Sequence, residues 1–168
     1  MISKIKSILI FIGLSLMAVV YSSCDSQRIF EQNIDLKQRF WAKDSIARFD
    51  FRIDDISSRY NIYYNVRNTN TYPNHNLYIT YYLEDSTGNI LKKELNNQQL
   101  FHPKTGKPFG RSGLGDIYDH QFLLLENYQF SKRGLYHMKL EHFMRYDTLP
   151  EVVSLGIRVE KSEQPDQK

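Results

Sequence analysis

Tyr60-Asn61-Ile62-Tyr63-Tyr64-Asn65-Val66-Arg67 is the stretch that decides the fold. Tyr60, Ile62, Tyr64 and Val66 form one series, and Asn61, Tyr63, Asn65 and Arg67 the other. A period of two places the series on opposite sides of a pleated strand, so this segment predicts a strand with one buried face and one wet face.

The same alternation extends in both directions. Upstream, residues 45–53 carry Ile46, Phe49, Phe51 and Ile53 as the apolar set, with Arg48, Asp50 and Arg52 between the last of them. Downstream, residues 68–76 are rich in Asn and Thr and hold Pro73, which reads as a turn. Leu77, Ile79, Tyr81 and Leu83 follow, then Asp85-Ser86-Thr87-Gly88-Asn89 before Ile90. Gly88 suits the left-handed position of a short hairpin loop with a bulge, so residues 77–95 are expected to form a β-hairpin. Further strands are expected at residues 117–125, after a turn near Gly134 with Tyr136, Met138 and Leu140, and after Pro150 with Leu155, Ile157 and Val159.

Between residues 96 and 116 the pattern stops and Pro103, Gly106, Pro108, Gly110, Gly113 and Gly115 crowd in. Connections this long are uncommon inside a compact domain and are usually functional or disordered. Residues 31–43 are compatible with a short helix. The aromatic content, 14% with 12 Tyr and 10 Phe against 1 Trp, favours pleated, half-buried surfaces. The expected fold is all-β: an antiparallel β-sandwich of about seven to eight strands, immunoglobulin- or jelly-roll-like, filling residues 42–160 as a single domain. Residues 161–168 are expected to be a frayed polar tail.

The N-terminus has a different character. Lys4 and Lys6 precede an uncharged apolar run from residue 8 to 20, and Tyr21, Ser22 and Ser23 lead to Cys24, the single cysteine. As a helix that run spans roughly 20 Å, short of the ~30 Å hydrocarbon core a permanent transmembrane helix must cross. The layout is that of a secretory signal over residues 1–23. A lone thiol is anomalous in an exported protein, where structural cysteines pair, and acylation removes the anomaly. Cys24 is therefore the expected lipid-attachment site and contact with the membrane, with residues 24–41 as acylated N-terminus and tether.

Composition excludes some partners. The chain holds 22 Lys plus Arg against 19 Asp plus Glu, and without Lys4 and Lys6 the balance is 20 to 19. A near-neutral body argues against nucleic acid, which wants a clustered basic surface.

Catalytic and metal motifs are weak. The segment from Gly110 to Asp116 lacks the Gly-Lys-Ser/Thr ending and the strand-then-helix flanks of a phosphate loop. His137 and His142 lie five apart on an expected strand and so face opposite sides, while Asp116, Asp119 and His120 read equally well as solvated turn polars. No serine sits in a Gly-x-Ser-x-Gly elbow. No enzyme activity, cofactor or metal is expected. The surface candidates are Tyr63, Tyr78 and Tyr82, outward-facing if Tyr64 and Tyr81 point inward, together with Arg111 and Leu114 of the glycine-rich segment. Rings flanked by amides suit a protein partner or a sugar, against the plainer alternative of cross-strand pairing.

Several pieces recur in a known order: Cys24-Asp25-Ser26 followed by Phe30; Trp41 and Asp44; Tyr63-Tyr64-Asn65-Val66-Arg67-Asn68-Thr69; Gly113-Leu114-Gly115-Asp116-Ile117-Tyr118-Asp119; Glu141-His142-Phe143-Met144-Arg145; and residues 153–160. Together they resemble the gliding motility lipoprotein family GldH over nearly the whole mature chain. The resemblance implies a cell-envelope lipoprotein, expected in the outer membrane, that works with other envelope proteins of the motility machinery or its associated secretion system. It supplies no catalytic residue, and Cys24 is the one site that carries over. The alternative reading is a carbohydrate-binding envelope lipoprotein.

Overall fold

The structure is a computed structural model and describes residues 27–113 and 115–162. Eleven strands are present among them: β1 (Arg28–Asp35), β2 (Phe40–Ala42), β3 (Ala47–Ile53), β4 (Tyr60–Thr69), β5 (Asn76–Asp85), β6 (Ile90–Gln99), β7 (Arg111–Ser112), β8 (Ile117–Tyr128), β9 (Gly134–His142), β10 (Thr148–Pro150) and β11 (Val152–Lys161). All pairings are antiparallel. One sheet has the order β1-β11-β4-β8-β7, a second the order β3-β9-β5-β6, and β10 with β2 forms a short ribbon. The expected all-β sandwich is what forms, and eight of its strands are seven residues or longer.

The period-two pattern explains the layers. Tyr60, Ile62, Tyr64 and Val66 of β4 and Leu155, Ile157 and Val159 of β11 turn inward from the five-stranded sheet. From the four-stranded sheet come Phe49, Phe51 and Ile53 of β3, Met138 and Leu140 of β9, and Leu77, Ile79, Tyr81 and Leu83 of β5. Each of these side chains is almost wholly removed from water, at roughly 1.5–3 kcal/mol apiece.

At the end where β1 begins, Phe30, Phe51, Phe130, Tyr60, Tyr128 and Tyr136 pack ring on ring. At the other end Trp41 lies edge-on to His142 and donates from Nε1 to the Ser45 carbonyl at 2.9 Å. Gly88 takes its left-handed φ of 85°, and Asp85 accepts from the backbone N–H of Thr87 and Asn89, closing the expected hairpin.

Three expectations are corrected. Residues 28–41 are not tether: β1 adds to the edge of β11, and Trp41 is buried. β1 escaped notice because an edge strand with one thinly covered face needs few apolar residues; only Phe30 and Ile34 pack inward. Residues 31–43 hold no α-helix, only a 3₁₀ turn at Lys37–Arg39 between β1 and β2. Ile46 is exposed and Ala47 takes the inward place, since Ile46 lies an odd number of residues from Phe49. In the tail, Lys161 still pairs with Tyr60 and ion-pairs with Asp55 at 2.8 Å, and residues 163–168 lie outside the described residues.

Gly156 sits mid-strand in β11, between Asn33 of β1 and Asn65 of β4. A Cβ there collides with the Asn33 amide and comes within 2.8 Å of the Gln32 carbonyl oxygen. Gly156→Ala is expected to cost about 1–3 kcal/mol in urea unfolding. Asn33→Ala in the same chain should recover only part, because the Gln32 backbone clash remains; full additivity of the two costs would refute this account.

Candidate interaction surfaces

The outer face of the five-stranded sheet is polar, and register brings its side chains into rows. Asn33, Gly156, Asn65 and Gln121 face one another across β1, β11, β4 and β8. Gln121 Nε2 donates to Asn65 Oδ1 at 3.0 Å, and Asn65 Nδ2 donates to Asn33 Oδ1 at 3.4 Å. The adjoining row holds Ser154, Arg67, Asp119 and Arg111, with Arg67 Nε on Asp119 Oδ1 at 2.5 Å. Phe109, Gly110 and Arg111 wall one side and leave a groove of about 490 Å³.

The glycine-rich segment is therefore an edge flap rather than a phosphate cradle. Arg111 and Ser112 pair with β8, and Gly113 N–H donates to the Ile117 carbonyl at 2.8 Å. Gly110 lies so close to the His120 ring that any side chain there would meet it. Asp119 faces outward and His120 inward, so the two do not converge on an ion. His120 is 6% exposed, stacks on Phe122 and has no partner for Nε2. Burial lowers its pKa to about 4, against the raising influence of the Asp119 carboxylate.

The outer face of the four-stranded sheet differs. Tyr78 and Tyr82 both lie on it, while Tyr63 lies on the outer face of the other sheet, so the three tyrosines do not share a surface. Tyr82 is already engaged: its hydroxyl donates to Glu141 at 3.0 Å and Lys93 Nζ sits 5.0 Å from its ring centre. The Tyr63 hydroxyl bonds Glu160, and burial, the larger influence, together with that carboxylate raises its pKa. Tyr78 is different, because it lines an apolar hollow of about 750 Å³ with Leu95, Phe143, Met144 and Tyr146. Phe143 is 61% exposed and Leu95 54%.

Leu95 and Phe143 were missed in the sequence. Counting from the Gly88 loop pairs Leu95 with Thr80, which puts Leu95 on the tyrosine side of the sheet. Phe143 follows the inward His142 and closes β9 with an N–H bond to the Tyr78 carbonyl. His137 and His142 do face opposite sides, His137 outward on Asp50 at 2.7 Å and His142 inward on Trp41. Leu114 and Cys24 lie outside the described residues.

These features define the class: an antiparallel β-sandwich domain with one polar grooved face and one partly apolar face. Two curated proteins align with nearly its whole length. The gliding motility lipoprotein GldH of Flavobacterium johnsoniae is 27% identical over 157 residues, covering 89% of this chain and 95% of that one. The gliding motility lipoprotein GldH homolog of Christiangramia forsetii is 26% identical over 155 residues, covering 86% and 91%. Among solved structures, the VP2 subviral particle of infectious bursal disease virus aligns at 14% identity and a TM-score of 0.38, covering 82% of this chain and 34% of that one. The family model described as GldH lipoprotein matches residues 28–159, and the chain belongs to that family.

Proposed function

We propose that the protein is a non-enzymatic, lipid-anchored component or accessory of the gliding motility machinery, held in the outer membrane by acylated Cys24 and acting through contact with another envelope protein. The observation that carries the contact is the exposed Leu95–Phe143 hollow. Large apolar side chains clustered on a surface mark association sites, and an aromatic seated in a pocket is the usual anchor of such contacts.

Geometry supports this use of the hollow. Cys24 lies four residues before Arg28, a reach of at most ~14 Å, so acylation of Cys24 would keep the end where β1 begins near the lipid. That end carries the loops at residues 54–59, 85–89 and 129–133. The ten-residue strands β4 and β5 put Phe143, Tyr146 and residues 100–113 at the opposite end, roughly 30 Å away. The hollow thus opens on the outer face of the four-stranded sheet, toward the end remote from the start of β1, where a partner can reach it.

The test is a photo-crosslinking residue at position 143 in the native organism, paired with the Leu95→Ala/Phe143→Ala double variant. The expected result is a discrete crosslink to one envelope protein, with binding weakened about 30-fold or more in the double variant and colony spreading lost. Normal spreading and protein secretion by the folded double variant would overturn the proposal.

A further inference from the structure

The groove on the five-stranded sheet remains unused by that reading, and its chemistry is specific. Its floor is the amide chain from Gln121 through Asn65 to Asn33, which leaves Gln121 Oε1 as an acceptor at one end and Asn33 Nδ2 as a donor at the other. The chain exists because Gly156 has no side chain. Glycine in a strand interior weakens the strand and marks a close approach, and here the approaching group is the Asn33 amide itself. Beside the amides lies the Arg67–Asp119 pair, whose remaining guanidinium and carboxylate valences face the same groove. Phe109, 58% exposed, forms the wall, with a tilted contact to the His102 ring at 5.9 Å behind it.

Each property narrows the ligand. The lining charges balance, Glu31 and Asp119 against Arg67 and Arg111, so nothing selects a phosphate or a polycation. Few apolar side chains line it, which disfavours a lipid tail. Donors and acceptors interleave at close spacing, which matches hydroxyl groups that both donate and accept. One ring at the edge offers an apolar plate to the C–H face of a sugar. Concave sites work with a few placed polar groups and an apolar wall, and this groove has that make-up.

We propose that this groove binds a neutral oligosaccharide, through the amides of Asn33, Asn65 and Gln121 and the Arg67–Asp119 pair, with a sugar ring against Phe109. This site is separate from the Leu95–Phe143 hollow on the other sheet. A glycan held there and a protein held on the opposite face would let the lipoprotein bridge envelope polysaccharide and machinery.

The experiment uses the full-length protein in detergent micelles on an array of neutral and acidic oligosaccharides and extended peptides, followed by titration of any neutral glycan that binds. Binding to at least one neutral glycan is expected, weakened about tenfold or more by Gln121→Ala and by Asn65→Ala and several-fold by Phe109→Ala. Leu95→Ala, in the other face, should leave it unchanged. Circular dichroism checks that each variant is folded, and Gln121→Glu, which keeps shape while adding a charge, serves if an alanine variant unfolds. No glycan bound, acidic glycans or peptides alone bound, or neutral-glycan binding indifferent to Gln121 and Asn65 would each overturn the proposal. Loss of glycan binding in a strain that still spreads would sever this site from the motility role without touching the assignment itself.

Discussion

Phe130→Ala is expected to destabilise the domain by about 3–5 kcal/mol, the usual cost of emptying a buried phenylalanine site. Phe130 is 2% exposed and touches four other rings: Tyr136 at 4.5 Å, Tyr128 at 4.8 Å, Tyr60 at 5.6 Å and Phe51 at 6.1 Å between centres. Those rings come from β3, β4, β8 and β9, so one side chain joins both sheets. The neighbours cannot collapse into the space cheaply. Tyr60 is tied by its hydroxyl to the Asp55 carbonyl at 2.5 Å, and Tyr136 to the Lys132 carbonyl at 2.6 Å. Because whole domains are stable by only about 5–15 kcal/mol, the loss should appear as a fall in Tm on the order of 10–20 °C. Phe130→Leu, which refills most of the volume, should cost less than half as much. Urea unfolding that moved by less than about 1 kcal/mol for the alanine variant would show that the end of the sandwich repacks freely.

The sequence exposed the layers wherever both halves of the alternation were strong. β4 and β5 read correctly because each carries four inward apolar residues in phase, and β11 because Leu155, Ile157 and Val159 repeat at two. β6 was caught only through its hairpin partner, since its inward positions Lys92, Glu94, Asn96 and Gln98 are polar, at a sheet edge that the other sheet does not cover. β1 was lost for a related reason, and β2, β7 and β10 are too short to show a period.

The surfaces were harder, because a binding face depends on which residues lie opposite one another and not on those adjacent in the chain. Tyr63, Tyr78 and Tyr82 read alike in sequence yet part onto two faces, and Lys93 and Glu141 occupy Tyr82 from neighbouring strands. The amide row joins residues 33, 65, 121 and 156, a set with no signature until register aligns it. The expected leader over residues 1–23 and lipid site at Cys24 lie outside the described residues, and that expectation rests on linear order alone.

Acidification should weaken the fold before its carboxylates titrate, and His120 is the principal cause. Burial drops its pKa from the ordinary value near 6.5 to about 4. His142, buried against Trp41, is lowered in the same direction and for the same leading reason. In the unfolded chain both rings take up a proton near pH 6.5, while folded His120 does so only near 4. Between those values the unfolded state holds more protons, so stability must fall as pH drops through the window. For His120 the full shift corresponds to roughly 3 kcal/mol. The carboxylates act lower. Asp50, held down first by its hydrogen bond from Arg48, and Asp85, held down first by Thr87, lose their stabilising contribution only as pH falls below the ordinary range near 3.8. Chemical denaturation at pH 7, 5.5 and 4.5 should therefore show a steady loss, and His120→Gln should remove most of it while leaving the smaller His142 contribution. The packing limits relief by rearrangement, since Gly110 closes over the ring on one side and Phe122 stacks on the other. Parallel pH profiles for the native chain and His120→Gln would mean that the ring reaches water and takes its proton without opening the edge at β7 and β8.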